Sequence, residues 1–154
     1  MKKVAVVTGS SSGIGFETSV LLARNQFKTY ATIRNLSKSH MFDTVLKEKI
    51  PLSLLQLDVN DKESVHGAID NILKENAQID VLVNNTGYSI FGSLEELSLE
   101  EIKQEFETNF SGAVRVSNAV IPTMRKNSGG TIVNVSSIGR KVGLLPFFYC
   151  ISRK

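Results

Sequence analysis

Residues 8–15, Thr-Gly-Ser-Ser-Ser-Gly-Ile-Gly, have the composition and spacing of a loop that holds a phosphate group. They lie between an apolar run at residues 4–7 and a segment of helical period, which predicts a turn from a strand into a helix. Gly9 suits the tight turn, Gly13 leaves room for a pyrophosphate, and Gly15 lets the helix pack closely on the strand. The first turn of that helix supplies unpaired N–H groups and the positive end of the helix dipole. Unless this is an ordinary strand-to-helix turn, the candidate contacts are Gly9, Ser11, Ser12, Gly13, Ile14 and Gly15.

Arg34 follows the second predicted strand, near the place where a dinucleotide-binding domain usually presents an acidic residue to the ribose 2′-hydroxyl of NAD. That acidic residue is missing from this strand end. A guanidinium at this position suits a 2′-phosphate, because it donates charge-assisted, bidentate hydrogen bonds. The sequence therefore predicts NADP(H) in preference to NAD(H), with a solvated arginine at the strand end as the alternative.

Polar residues follow the third and fourth predicted strands, at the carboxyl ends where ligands bind in open parallel sheets. The Asp58 carboxylate could accept a hydrogen bond from an adenine amino group, and Asn85 could bridge the cofactor and the backbone. Each residue taken alone is about as well explained as a turn residue, since Asp and Asn side chains cap turns. The candidate cofactor contacts at this edge are Asp58, Val59, Asn85 and Gly87.

Ser136 and Ser137 follow the fifth predicted strand, and Tyr149 comes after an intervening loop. A serine hydroxyl and a tyrosine phenol that share one carbonyl oxygen would polarise it and deliver a proton as hydride arrives. A phenol of ordinary pKa, about 10, needs a nearby cation to act near neutral pH. Arg153 and Lys154 carry positive charge about one helical turn further along, unless they form only a solvated terminus.

A parallel sheet covered by helices on both faces would bring these candidate residues to one edge. Short runs rich in β-branched residues alternate with longer segments of helical period, which predicts a doubly wound, Rossmann-like α/β fold. The predicted strands are residues 3–8, 28–33, 52–57, 81–84 and 131–135. The predicted helices are residues 14–25, 39–49, 62–75 with Asp61 as cap, and 99–126 with Pro122 as a candidate kink.

Composition and charge narrow the functional classes. With 154 residues and 42% apolar content, the chain is long enough for one domain with its own core, taken as residues 1–154. The formal net charge is +3 and the charges are scattered, so we expect no nucleic-acid partner. One cysteine, no run of membrane-spanning length and no signal-type N-terminus predict a cytoplasmic protein without a membrane partner. We also predict no metal site.

The cofactor-side residues resemble those of the short-chain dehydrogenase/reductase family. Residues 8–15 match the family motif Thr-Gly-x-x-x-Gly-x-Gly, and Asp58 matches its adenine-contacting acid. Residues 84–87 are similar to the family's Asn-Asn-Ala-Gly motif, with Thr86 in place of Ala. Arg34 matches a position that is basic in the NADP-preferring members. The resemblance covers the chain from its first strand to its end.

The resemblance also implies roles for the candidate catalytic residues. Asn109 matches the Asn that helps to hold a water in the family's proton relay. The family serine matches Ser136 by its spacing of thirteen positions from Tyr149, or Ser137 by its local sequence. The family lysine belongs four positions after the tyrosine, where this chain has Arg153. Arg153 would then supply the positive charge beside the phenol.

The resemblance implies an NADP(H)-dependent oxidoreductase that interconverts a carbonyl and an alcohol by hydride transfer, with Tyr149 as acid/base. The apolar residues 143–148 favour an apolar small-molecule substrate by a weak margin. Family members pair through the helix matching residues 99–126, so we expect a homo-oligomer. They also continue past residue 154 with further strands and helices, so we expect a fold incomplete at its C-terminus. The alternatives are a catalytically impaired NADP(H)-binding fragment or pseudoenzyme, and the product of a truncated or frameshifted gene.

Overall fold

A five-stranded parallel sheet forms the centre of the protein, whose computed structural model describes residues 2–43, 45–92 and 95–137. The strands are β1 (Val4–Val7), β2 (Lys28–Ile33), β3 (Leu52–Gln56), β4 (Val81–Asn84) and β5 (Thr131–Asn134). Each predicted strand is therefore present, within one residue at each end. The runs are buried on both faces wherever helices cover them, which is why they are apolar rather than alternating.

The strand order is β3-β2-β1-β4-β5, and all neighbouring strands are parallel. The chain moves outward from β1 through β2 to β3, then crosses back to β4 on the other side of β1. Loops that leave the carboxyl ends of β1 and β4 consequently diverge to opposite faces of the sheet. In open α/β sheets this topological switch point is where ligands bind.

Among the described residues, four α-helices accompany the sheet: α1 (Gly13–Arg24), α2 (Lys62–Glu75), α3 (Leu99–Phe106) and α4 (Gly112–Lys126). The prediction for α2 is confirmed at both ends. Its cap is also confirmed, because the Asp61 carboxylate accepts hydrogen bonds from the backbone N–H groups of Glu63 and Ser64, at 2.8 and 3.2 Å. α1 begins one residue earlier than predicted.

The predicted helix at residues 39–49 is wrong. Short 3-10 turns occupy Leu36–Lys38, His40–Phe42 and Val45–Glu48 instead. The segment is shaped by Phe42 and Val45, which are buried, and the Phe42 ring meets the Phe16 ring edge-on at a centroid distance of 4.7 Å. An apolar spacing of three residues suits consecutive 3-10 turns as well as an α-helix, so the period alone did not separate them.

The predicted long helix at residues 99–126 is interrupted by a π-helical turn, Glu107–Ser111, between α3 and α4. A capping box starts α3: the Ser98 hydroxyl accepts from the Glu101 N–H, and the Glu101 carboxylate accepts from the Ser98 N–H. The change of helix type lies at residues 107–111, whereas Pro122 lies inside α4, which runs on to its predicted end.

Two apolar clusters fill the space between the sheet and its helices. One joins Val6 and Leu82 of the sheet to Ile69 of α2 and Val120 of α4, and the other packs Phe16 of α1 against β2. The sheet is thus covered on both faces, as a doubly wound fold requires. In the described part of the chain, no helix is long and apolar enough to cross a membrane.

Candidate functional site

The glycine loop between β1 and α1 depends on glycine for two different reasons. Gly9 and Gly13 have φ values of +67° and +57°, in the left-handed region that glycine adopts without strain. A Cβ atom on Gly9 would lie 2.8 Å from Thr86 Cα, and one on Gly15 would lie 2.3 Å from the Gly9 carbonyl oxygen. A Cβ atom on Gly13 would meet nothing within 4 Å. The loop is therefore tightly packed at Gly9 and Gly15, and open at Gly13.

Thr8 and Asn85 join the glycine loop to the loop after β4. The Thr8 hydroxyl oxygen accepts hydrogen bonds from the backbone N–H groups of Asn85 and Thr86, at 3.0 and 3.1 Å. In return, the Asn85 amide nitrogen donates to the carbonyls of Thr8 and Gly9, at 3.1 and 3.0 Å. These bonds are the backbone half of the bridge predicted for Asn85. They hold the two loops of the switch point at a fixed separation.

Ser10, in the middle of the loop, turns away from solvent. Its hydroxyl donates to the Val7 carbonyl at 3.0 Å and lies 3.0 Å from the Ser19 hydroxyl, which donates to the Gly15 carbonyl at 2.7 Å. These buried bonds tie the first turn of α1 to β1. Ser10 is buried, Ser11 is half-buried and Ser12 is exposed, a difference that the sequence alone does not reveal.

The two loops enclose a cleft of about 450 Å³ at the carboxyl edge of the sheet. The predicted cofactor residues that line it are Gly9, Ser11, Ser12, Ile14, Arg34, Asp58, Val59, Asn85 and Gly87. Gly13 and Gly15 are not among its lining residues; they shape the loop instead. Asn60, Tyr88 and Thr108 also line the cleft, although no motif in the sequence pointed to them.

The N-terminus of α1 opens on this cleft with its backbone donors uncapped. Ser12 takes the cap position in an extended conformation, but its side chain makes no capping hydrogen bond. The first turn of α1, all of it within the described residues, contains no acidic side chain. The unpaired N–H groups and the positive helix end consequently favour an anion at this end of the cleft.

Arg34 and Asp58 lie on the side of the cleft formed by β2 and β3. The Arg34 side chain is exposed, and its backbone carbonyl accepts a hydrogen bond from Gln56 Nε2 at 3.2 Å. The Asp58 carboxylate accepts from the Asn60 N–H at 3.0 Å, so Asp58 forms a turn as well as lining the cleft. A positive group and a negative group are thereby offered to the same ligand from neighbouring strand ends.

Asn109 lies in the π-helical turn and is 9% exposed. Its amide pairs with the Tyr88 backbone in both directions: Tyr88 N–H donates to Oδ1 at 3.0 Å, and Nδ2 donates to the Tyr88 carbonyl at 2.7 Å. Nδ2 also lies 3.3 Å from Glu105 Oε1. Asn109 therefore attaches the long helical segment to the loop after β4.

A second cleft, of about 430 Å³, lies between α4 and the ends of β4 and β5. Apolar side chains of Phe110, Ala113, Val114 and Val135 line it together with Asn109. Thr86 lines both clefts, so it forms part of the wall between them. The sequence pointed to Thr86 only as a departure from a motif.

Asn84 is the most buried polar residue at this second cleft, with 6% of its surface exposed. Its Nδ2 donates to the Ser117 hydroxyl at 3.0 Å and to Asn134 Oδ1 at 2.9 Å. Within the part of the chain that the structure describes, Asn84 Oδ1 has no hydrogen-bond partner. A buried acceptor of this kind attracts a donor.

The predicted catalytic residues are only partly within the described structure. Ser136 and Ser137 follow β5, and Val135 extends the β4–β5 ladder through a 3.0 Å hydrogen bond from its N–H to the Asn84 carbonyl. Both serines therefore emerge at the carboxyl edge that carries the clefts. Tyr149, Arg153 and Lys154 lie outside the described residues, so the Ser–Tyr arrangement stays a prediction.

Comparisons with known proteins agree with this fold. The pattern of the short chain dehydrogenase family matches residues 3–149. Retinol dehydrogenase 8 of Bos taurus is 41% identical over 141 residues, covering 88% of this chain and 45% of that protein. 3-Ketodihydrosphingosine reductase of Bacteroides thetaiotaomicron is 37% identical over 153 residues, covering 98% and 53%.

A solved structure of a variant actinorhodin polyketide ketoreductase with NADPH superposes with a TM-score of 0.87 at 29% identity, covering 94% of this chain and 56% of that one. The chain thus spans about half the length of the relatives that it matches. The match at residues 3–149 takes in the glycine loop, both clefts and β5. This chain belongs to the short-chain dehydrogenase family.

Proposed function

We propose that residues 1–154 belong to one nucleotide-binding domain of an NADP(H)-dependent oxidoreductase. The observation that carries the proposal is the 450 Å³ cleft, which joins the uncapped N-terminus of α1 to the exposed guanidinium of Arg34. The cleft thereby offers two separate anion-binding ends. NADP(H) differs from NAD(H) by the additional 2′-phosphate, which is the group that a second cationic end would bind.

The residues present fit such a cofactor. Ser11, Ser12 and the first N–H groups of α1 would hold the pyrophosphate, where Gly13 leaves open space. Arg34 would bind the 2′-phosphate and the Asp58 carboxylate would accept from the adenine amino group. Ile14, which is 65% exposed at the cleft, would pack on the cofactor and bury apolar surface.

The reaction we propose converts a carbonyl, a proton and NADPH into an alcohol and NADP+, and it can run in reverse. The bound nicotinamide would supply or accept the hydride. Tyr149 would give its phenolic proton to the carbonyl oxygen, while Ser136 or Ser137 donates a hydrogen bond that polarises it. Arg153 would lower the pKa of the Tyr149 phenol by favouring its charged form. Asn109 would hold the helical segment beside the reacting groups.

We further propose an apolar carbonyl or alcohol as substrate. The second cleft supports this, because Phe110, Ala113, Val114 and Val135 give it an apolar wall beside Asn109. The names of two relatives point the same way, since retinol and 3-ketodihydrosphingosine are largely hydrocarbon. Self-association through α3 and α4 is also proposed. Leu99 and Phe106 of α3, which do not line the second cleft, are 67% and 41% exposed.

The test is calorimetric titration of the purified chain with NADPH and with NADH, beside Arg34→Ala and the control Lys38→Ala, which removes a nearby charge that does not line the cleft. We expect NADPH to bind at least about tenfold more tightly than NADH, which corresponds to about 1.4 kcal/mol. Arg34→Ala should abolish that preference and Lys38→Ala should keep it. Equal binding of the two nucleotides by the unmodified chain would contradict the cofactor assignment.

A second candidate function is a nucleotide-binding domain with impaired turnover. It is favoured by Arg153, which stands where the family resemblance places a lysine. A planar guanidinium differs from an ammonium in reach and hydrogen-bond geometry, so it would support the tyrosine less well. Carbonyl reduction with the chain, measured as NADPH oxidation over a panel of apolar aldehydes and ketones and abolished by Tyr149→Phe, would exclude this candidate.

A further inference from the structure

The π-helical turn Glu107–Ser111 is attached to the loop at residues 58–60 by contacts that the proposed function does not require. Asn60 Nδ2 donates to the Thr108 hydroxyl at 2.8 Å. Arg115 of α4 donates through Nη1 to the Val59 carbonyl and through Nη2 to the Glu107 carboxylate. The Arg115 guanidinium thus contacts both the loop and the turn, beside the direct Asn60–Thr108 hydrogen bond.

Side-chain packing accompanies the hydrogen bonds of this guanidinium. Gly112, the first residue of α4, lies against the Val59 side chain, and a Cβ atom on Gly112 would be 2.7 Å from Val59 Cγ2. Val59 itself is buried. The Arg115 side chain is 24% exposed, and its hydrogen bond lowers the pKa of the Glu107 carboxyl, with a further hydrogen bond from Ser111. The loop and the turn therefore have little freedom to move separately.

The opposite side of the same turn is attached to the other wall of the nucleotide cleft. There Asn109 pairs in both directions with the Tyr88 backbone, at 3.0 and 2.7 Å. Val59, Asn60, Tyr88 and Thr108 all line the cleft. A ligand that presses on the loop at residues 58–60 consequently acts on a segment that also carries Asn109.

We infer that Arg115 is a positioning residue, which couples nucleotide contact at residues 58–60 to the placement of Asn109. This inference rests on the proposed function, because it takes the cleft to hold a nucleotide. Two directional bonds from one planar fork make the link specific to arginine, since a lysine ammonium lacks the fork geometry that reaches a carbonyl and a carboxylate together. In this coupling, nucleotide binding stabilises one arrangement of these hydrogen bonds over the alternatives. The contiguous contacts through Arg115 transmit that preference to Asn109.

The test measures amide hydrogen exchange of the purified chain with and without adenosine 2′,5′-bisphosphate, which contains only the adenine half of NADP. In the unmodified chain we expect the ligand to slow exchange at residues 57–60 and also at residues 108–110, by about fivefold or more, the lower end of ordinary coupling between sites. In Arg115→Met the slowing at residues 57–60 should persist and that at residues 108–110 should fall by about half or more, because only the Asn60–Thr108 hydrogen bond and the contact of Thr108 with the cleft remain. The control Arg125→Met removes an exposed arginine of the same helix and should behave as the unmodified chain.

Slowing at residues 108–110 that is undiminished in Arg115→Met, or that falls equally in Arg125→Met, overturns the inference. Should Arg115→Met fail to fold, Arg115→Lys keeps the charge and removes the fork, and full slowing at residues 108–110 in that variant overturns the inference as well. Failure of the proposed function looks different. The unmodified chain would then show no ligand-dependent slowing at residues 57–60, and calorimetry would show no binding of NADPH.

Discussion

Replacing Gly9 by alanine is expected to destabilise the protein much more than replacing Gly13, although both glycines have positive φ. An L residue in the left-handed region costs about 1–2 kcal/mol, and this applies to both positions because their φ values are +67° and +57°. Only the Gly9 methyl also meets fixed atoms, with Thr86 Cα at 2.8 Å and Thr86 N at 3.0 Å. Such overpacking costs about 1–3 kcal/mol more.

The expected losses in the free energy of unfolding are therefore about 2–5 kcal/mol for Gly9→Ala and about 1–2 kcal/mol for Gly13→Ala. The lower entropy of an unfolded chain containing alanine affects both variants equally, so the difference between them isolates the contact with Thr86. Urea denaturation followed by circular dichroism gives both values, and the slope of the transition checks that the two variants expose similar surface.

Ligand binding gives a second test of Gly13→Ala. Gly13 lies between Ser12 and Ile14, which line the cleft, and a methyl group there would extend into open space beside the proposed pyrophosphate site, so Gly13→Ala should weaken NADPH binding by about tenfold or more while it retains most of its stability. Stability losses equal within about 0.5 kcal/mol, the ordinary effect of a surface substitution, would refute the packing argument. So would full recovery of Gly9→Ala by Thr86→Ala, because the closest overlap is with the Thr86 backbone rather than its side chain.

Two further substitutions test the hydrogen bonds. Thr8→Val keeps the shape of a buried side chain but removes the hydroxyl oxygen that accepts from the N–H groups of Asn85 and Thr86. Urea denaturation should therefore show a loss of about 1–3 kcal/mol in the free energy of unfolding. The control Thr131→Val, at an exposed position, should change it little. Unchanged stability of Thr8→Val would contradict the prediction, because it would mean that other acceptors replace the Thr8 hydroxyl oxygen. Tyr30→Phe removes the 2.7 Å hydrogen bond that, ahead of Lys28, lowers the pKa of Glu75, so NMR titration should show that pKa rising. Because the pKa of Glu75 is lower in the folded than in the unfolded state, its carboxylate stabilises the fold at pH values above the unfolded-state pKa, and that contribution is lost as the pH falls through the folded-state pKa. Tyr30→Phe should therefore make the free energy of unfolding less sensitive to acid. A Glu75 pKa that does not move would contradict this prediction.

The elements that the sequence predicted well are those whose signal is local. Residues 62–75 carry a cap and a clear helical period, and the strands are apolar runs bounded by turns, so both are legible without tertiary information. The prediction of a helix at residues 39–49 was wrong because the packing of Phe42 against Phe16 determines the conformation of this segment, and that contact joins distant parts of the chain. The π-helical turn was not predicted, because one additional residue in a single turn barely alters the spacing of apolar residues along the helix.

The candidate site divides in the same way. The glycine loop, Arg34 and Asp58 follow strands whose ends the sequence predicts, so their presence at one edge follows from the parallel topology. Asn60, Tyr88 and Thr108 line the cleft from three segments that are far apart in sequence, and Asn109 and Arg115 join these segments by hydrogen bonds that the sequence does not reveal. The sequence could not distinguish Ser10 from the neighbouring serines of the motif, because residue type does not show whether a hydroxyl forms a hydrogen bond inside the protein or faces the cleft.

Thr86 has a consequence for how this protein can adapt to new ligands. It lines both clefts, whereas Ser11 lines only the first of the two and Val135 only the second. A substitution at position 86 is therefore pleiotropic: selection or engineering that reshapes one cleft there alters the other in the same step. Independent change of the two clefts has to proceed through positions such as Ser11 and Val135, while position 86 changes only when both clefts tolerate the new side chain.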